Sequence, residues 1–285
     1  MGVGWVDERA ARRLSRPIRA ELERALGPNA TSVLKAAPTL RRRFGFEPRA
    51  ATALVSLGGS YAFGLRLDGV EASGLRRALV AAGGAVSAAD GVQLLGIGGY
   101  AEVPSPLLAS GVSGLGARDA FAPDRTVLAI SETARASLLG LGGSLLEQPD
   151  YAAAASCLGD VIASRLVPDV LVLSTDLHTD LVAVGIVRPS GGGRPHQEVL
   201  CLLGGAAADA RRHAAALRDS LAPMARVPRL GELVGSRVAT VKVDRPPAAA
   251  EAVRARLGLA AGARPGFLFD LLAAGALPAL LGEDR

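Results

Sequence analysis

The chain has 285 residues, room for one large domain or two of ordinary size, and 49% of them are hydrophobic, which excludes a globally disordered protein. Only 4% are aromatic, so the core is expected to be aliphatic. The formal net charge of +5 is a modest surplus carried almost wholly by arginine, Lys35 and Lys242 being the only lysines.

Residues 7–26 read as an amphipathic helical region, with Leu14, Ile18, Leu22 and Leu26 four apart. Pro17 falls inside it, which predicts a kinked helix or two short ones. Arg9, Arg12, Arg13, Arg16, Arg19 and Arg24 lie in this region, and Arg41, Arg42 and Arg43 follow it. Such a face is either simply solvated or meets an anionic surface, and Arg9, Arg12, Arg13 and Arg16 are the candidates for a peripheral membrane contact. Nucleic acid is disfavoured, because the nearby aromatics Trp5, Phe44 and Phe46 are not interleaved with the arginines. Gly27-Pro28 is expected to end the region. Thr31 or Ser32 would then cap a second helix to about Arg43, limited or kinked by Pro38.

After the break Gly45-Phe46-Glu47-Pro48, the residues Thr52–Leu57 and Ser60–Leu67 read as a hairpin turning on Gly58-Gly59. A helix over Gly69–Ala82 follows, with Val70, Leu75, Leu79 and Val80 facing inward and Gly83-Gly84 as its stop. Val86, the turn Asp90-Gly91 and Val92–Ile97 suggest a second hairpin. The stretch 98–125 reads as loop. Thr126–Ile130 is a predicted strand, and Ser131 starts a helix to about Leu139. Further helices are predicted at Tyr151–Ser164, Ala206–Leu221 and Ala248–Leu257, with strands at Asp169–Ser174, Leu181–Arg188, Val199–Leu203 and Arg237–Val243. A last helical piece follows Gly266–Phe269.

The fold class expected is α+β: two units of mainly antiparallel sheet covered by helices on one face, with a helical N-terminus. The expected divisions are 1–45 for the N-terminal helices packed on the first unit, 46–145 for that unit and 146–285 for the second. The order of elements suggests an internal structural repeat, although no sequence identity between the halves supports it.

No segment is long and apolar enough for a transmembrane helix, and Met1-Gly2-Val3-Gly4 is followed at once by charge rather than by a signal sequence. The chain is therefore expected to be cytoplasmic, or exported and lacking its leader. Cys157 and Cys201, the two cysteines, are either one disulfide in an oxidising compartment or two buried thiols. The sharpest polar cluster is Asp176-Leu177-His178-Thr179-Asp180, where Asp176, His178 and Asp180 alternate and could converge on a metal. The competing reading is an ordinary polar turn between strands. Ser60 lacks the second glycine of a nucleophile elbow, and Gly140–Ser144 lacks the Lys of a phosphate loop, so both read as turn devices. No catalytic residue and no cofactor is assigned.

Several fragments carry a resemblance. Trp5-Val6-Asp7, Phe44-Gly45-Phe46-Glu47-Pro48, Asp90-Gly91-Val92 and Arg125–Ser131 occur in an order that resembles a group of uncharacterised actinobacterial exported proteins, many of them lipoproteins. The group has Asp where Glu47 stands here, and the likeness covers about the first 160 residues. It implies an upstream leader with a lipid-bearing cysteine, and it supplies no catalytic residues. The leading expectation is thus a non-enzymatic, extracytoplasmic, surface-tethered protein that binds a partner protein or small ligand between its two units. The alternatives are a metal-dependent hydrolase using Asp176, His178 and Asp180, and a cytoplasmic Arg-rich nucleic-acid binder.

Overall fold

The computed structural model describes residues 2–58, 63–89, 91–96, 110, 112, 118–140, 147–168, 179–190, 193–204, 211, 214–215, 217, 237–246 and 252–274. They form an α+β protein whose described strand pairings are all antiparallel. The chain divides into two compact units, Met1–Arg12 with Leu26–Gly143, and Arg13–Ala25 with Ser144–Arg285. The expected N-terminal block 1–45 is therefore shared out between the units, with 13–25 grouping with the second.

The first unit opens with a strand that the sequence reading missed, β1 (Gly2–Val6), paired with β2 (Ala53–Gly58). Asp7 caps the short helix α1 (Glu8–Ala11), accepting the Ala10 N–H at 2.9 Å. A long helix α2 (Gly27–Phe44) begins at Gly27-Pro28 rather than after it, since Pro is well suited to a first turn. Thr31 and Ser32 are inside this helix and bond back to Gly27 and Asn29 carbonyls instead of capping. Then come β3 (Gly64–Asp68), α3 (Ser73–Ala81), β4 (Ala85–Ala89), β5 (Val92–Gly96), β6 (Arg118–Ala122), β7 (Arg125–Ala129) and α4 (Glu132–Leu139). The sheet order is β1-β2-β3-β7-β6-β5-β4. Strand β6 lies in the stretch expected to be loop.

Register shows which residues share a face. Leu54, Leu67 and Thr126 are cross-strand partners, and Phe121 sits opposite both Thr126 and Gln93. This face belongs to α2 and α3, which bury Val33, Leu34, Leu40, Leu75 and Leu79. The buried Ser56 hydroxyl donates to the Leu26 carbonyl just before α2 at 2.8 Å. The opposite face carries Gly64 and Arg66, and α4 lies there, with a guanidinium N–H of Arg66 reaching the Leu138 carbonyl at 3.4 Å. Helices thus cover both faces of this sheet, not one. Val80, expected inward, is exposed at the end of α3.

The second unit holds α5 (Arg16–Glu23), α6 (Pro149–Leu158), β8 (Val161–Pro168), β9 (Leu181–Val187), β10 (Gln197–Leu203), β11 (Val238–Asp244), β12 (Val253–Leu259) and α7 (Phe267–Ala273). Its sheet order is β8-β9-β10-β12-β11. The helix expected to run to Ser164 stops at Gly159, whose φ of 68° is the left-handed turn-off that glycine supplies, and β8 begins two residues later. The helix expected at Ala248–Leu257 is largely replaced by β12. There Val253, Ala255 and Leu257 are buried and alternate with Arg254 and Arg256, the period of a strand. The two sheets share a wiring: three strands in meander, then a last strand that returns to pair with the third, β7 on β3 and β12 on β10.

Strand β10 is buried on both faces because each face meets a different helix. On one face, Cys201 is bonded to Cys157 of α6, S–S 2.08 Å and Cα–Cα 6.2 Å. On the other, Glu198 meets the start of α7. Asp270 of α7 pairs with Arg237 at 2.9 Å and with Arg24 at 2.5 Å, and Arg24 also meets Glu21 at 2.8 Å. These ion pairs tie the end of α5 to α7 within the second unit.

Candidate functional site

A cleft of about 300 Å³ lies in the first unit at the start of α3. That is the low end of the ~300–1,000 Å³ range of small-molecule sites. Its floor is apolar: Phe121, Val70, Ala72, Ala122 and Pro123. Thr126 closes it from β7, its hydroxyl donating to the Val70 carbonyl at 3.5 Å.

Charge stands on two sides. Residue 72 is Ala and offers no side-chain cap to α3, so Glu71 takes that task, its carboxylate accepting the Ser73 N–H at 2.9 Å. Hydrogen bonds from the Ser73 side chain and backbone hold the Glu71 carboxyl below its usual range, helped by the charges of Arg77 and Arg76. One turn into α3, the Arg76 guanidinium donates to the Gln93 side-chain carbonyl of β5. The cleft therefore presents an ionised carboxylate and a guanidinium above an aromatic floor. That suits a small polar or zwitterionic molecule with an apolar body: its anion at Arg76, its cation at Glu71, its body on Phe121.

Two residues before Phe121 in β6, Asp119 is fully buried, and burial pushes its carboxyl up to about 8. One of its oxygens accepts the Ala129 N–H at 3.2 Å, and the other has no hydrogen-bond partner. Arg135 of α4 donates to the Asp119 backbone carbonyl at 3.4 Å and pairs with Glu132 at 2.5 Å.

The residues singled out from sequence lie elsewhere. Asp176, His178 and Ser60 are outside the described residues. Asp180 is exposed just before β9, its N–H donating to the Leu203 carbonyl at 2.9 Å, which is a turn position at the end of the β9–β10 pair. Among the described residues no group of three or more His, Cys, Asp and Glu could hold a metal. Gly140 is the left-handed cap of α4, as a helix stop requires. The N-terminal arginines do not form one helical face. Arg9 is in α1 and Arg16 in α5, and Arg12 is held by the Ala50 and Ala51 carbonyls ahead of β2. No helix among the described residues is long and apolar enough to cross a membrane.

Glu71, Arg76, Gln93 and Phe121 went unnoticed in the sequence because they belong to no motif. The hairpin register β4–β5 and the strand β6, hidden in a stretch read as loop, bring them together. No family model matches this chain, and neither a curated protein nor a solved structure matches it significantly.

Proposed function

We propose that this protein is an extracytoplasmic, surface-tethered binding protein that holds a small polar or zwitterionic ligand in the cleft of its first unit. The observation that carries the reading is the Cys157–Cys201 bond, the sole pairing open to a chain with two cysteines. Such structural disulfides persist in oxidising compartments and are rare where glutathione and thioredoxin keep thiols reduced. The resemblance to actinobacterial exported proteins points the same way and supports the tether. Binding rather than turnover is supported by the groups that line the cleft. Glu71 is held ionised and Arg76 is a permanent cation, so both suit the holding of charge rather than proton transfer near neutral pH.

The compartment is tested by quenching intact cells with a membrane-impermeant alkylating reagent, then counting thiols under denaturing conditions. Two free thiols in the protein from its native cell would overturn the reading. Occupancy of the cleft is tested by chemical-shift titration with free amino acids. Perturbation centred on Arg76, Gln93 and Phe121, and lost in Arg76→Ala, is the expected result.

A further inference from the structure

The first unit's sheet order ends in β4, and among the described residues no strand pairs with its outer edge. All five residues, Ala-Val-Ser-Ala-Ala, are exposed, and none is charged or proline. Soluble proteins usually blunt such an edge with Lys, Pro, a bulge or a covering element, because its unpaired N–H and C=O groups template further pairing. Strand β11, which ends the order in the second unit, shows those devices. It has Lys242 exposed in mid-strand, a register shift between Val238 and Thr240, and Arg245-Pro246 directly after it. Among the described residues strand β4 shows none of them, and Val86 on β4 and Val80 at the end of α3 are the exposed large hydrophobics there, at 51% and 43%.

The register gives the orientation of the edge. The β4–β5 connection closes on Ala89 opposite Val92, which makes that the hydrogen-bonded pair of a two-residue hairpin. Alternation then turns Ala85 and Ser87 inward to β5 and leaves the N–H and C=O of Val86 and Ala88 pointing away from the sheet. The side chains of Val86 and Ala88 share a face with their partners Leu95 and Gln93, the face that α3 covers.

We propose that the free edge of β4 docks an extended, uncharged peptide segment of a partner protein, which adds to the sheet as a further strand and pairs with Val86 and Ala88. Main-chain hydrogen bonds give such a contact its affinity, and alternate side chains, here against Val86 and Ala88, give it selectivity. A second folded copy of this chain is the poorer occupant. Five residues span about 17 Å, and their small side chains fall well short of the ~800 Å² per partner that a stable dimer buries.

The test uses a fluorescein-labelled peptide bearing the β5 sequence Val-Gln-Leu-Leu-Gly, whose side chains already pair with those of β4, and Ala88→Pro. Proline at an outward-facing edge position removes one donor without breaking a β4–β5 bond, so the fold survives and is checked by its melting temperature. Fluorescence anisotropy is expected to show binding by the wild type. Ala88→Pro should weaken it about tenfold, as should N-methylation of alternate amides in the peptide. Absence of wild-type binding at millimolar protein, or binding that both changes leave intact, overturns the proposal. So does a concentration-dependent dimer in light scattering that Ala88→Pro abolishes, since that assigns the edge to a second copy.

Discussion

The carboxylate of Glu198, buried in β10, accepts the backbone N–H of Phe267 at 3.0 Å, and with it those of Gly266 and Leu268 at 2.6 and 2.8 Å. The first turn of a helix has N–H groups with no partner inside the helix, and here no side chain of α7 itself supplies one. A residue nearly seventy positions earlier does so from the neighbouring strand. Burial raises the Glu198 carboxyl above its ordinary value, opposed by the three N–H groups and the charge of Arg237. Glu198→Ala strands three donors, all on the buried turn, and is expected to cost about 3 kcal/mol in urea unfolding. Glu198→Gln keeps acceptor oxygen and should cost clearly less. Equal losses in the two variants would show that the contact acts through volume rather than hydrogen bonding.

The Cys157–Cys201 bond closes a loop of 44 residues on the opposite face of the same strand. Chain-entropy arithmetic for that loop gives about 4 kcal/mol, and strained or partly ordered reference states deliver less. Cys157→Ala with Cys201→Ala keeps both positions apolar and should lower stability by about 2–4 kcal/mol. Reduction of the wild type should lower it comparably. A double variant as stable as the oxidised wild type would mean that packing of α6 on β10 suffices without the crosslink.

Local signals in the sequence located those elements that are fixed by local chemistry. Ser131 caps α4 through the Ala134 N–H, Gly140 ends it, and Gly91, with a φ of 75°, precedes β5. The failures came where tertiary pairing overrides propensity. Residues 248–257 hold five Ala and two Arg, good helix formers, yet the alternation of Val253, Ala255 and Leu257 with Arg254 and Arg256 was in the sequence and was the better guide. Strand β1 is short, with two glycines among its five residues, and it is its register with β2 that shows it. The cleft was illegible for a different reason. Arg76 and Gln93 are 17 positions apart, and nothing in their neighbourhoods marks them as partners.

Gly74 shows the same dependence on tertiary context. It opens no turn, but a Cβ there would lie 1.9 Å from the carbonyl oxygen of Phe44 at the end of α2. Backbone cannot yield as a side-chain tip can, so Gly74→Ala must push α3 away from α2. A loss of about 1–3 kcal/mol is expected, against the small gain that Ala normally brings to a helix interior. Because α3 carries Arg76, the same variant should weaken any ligand of the cleft. A Gly74→Ala protein as stable as the wild type would refute the close approach of the two helices.

Asp119 sets the direction of the pH dependence. Its carboxyl titrates near 8 when folded, against an ordinary value of 3.8. Between those limits the folded protein holds a proton that the unfolded chain has released. Stability therefore falls as pH rises from about 4 to about 8 and levels off above that. Glu198, also raised by burial, contributes with the same sign. Asp119→Asn imitates the protonated form and keeps an acceptor for the Ala129 N–H. It should remove the part of the slope that belongs to Asp119 and leave that of Glu198. Thermal unfolding at pH 5 and pH 8 measures the difference directly. The wild type should lose more stability than the variant across this interval, by a few degrees in melting temperature. Parallel profiles would mean that Asp119 is already ionised in the folded state, with a compensating partner for its second oxygen.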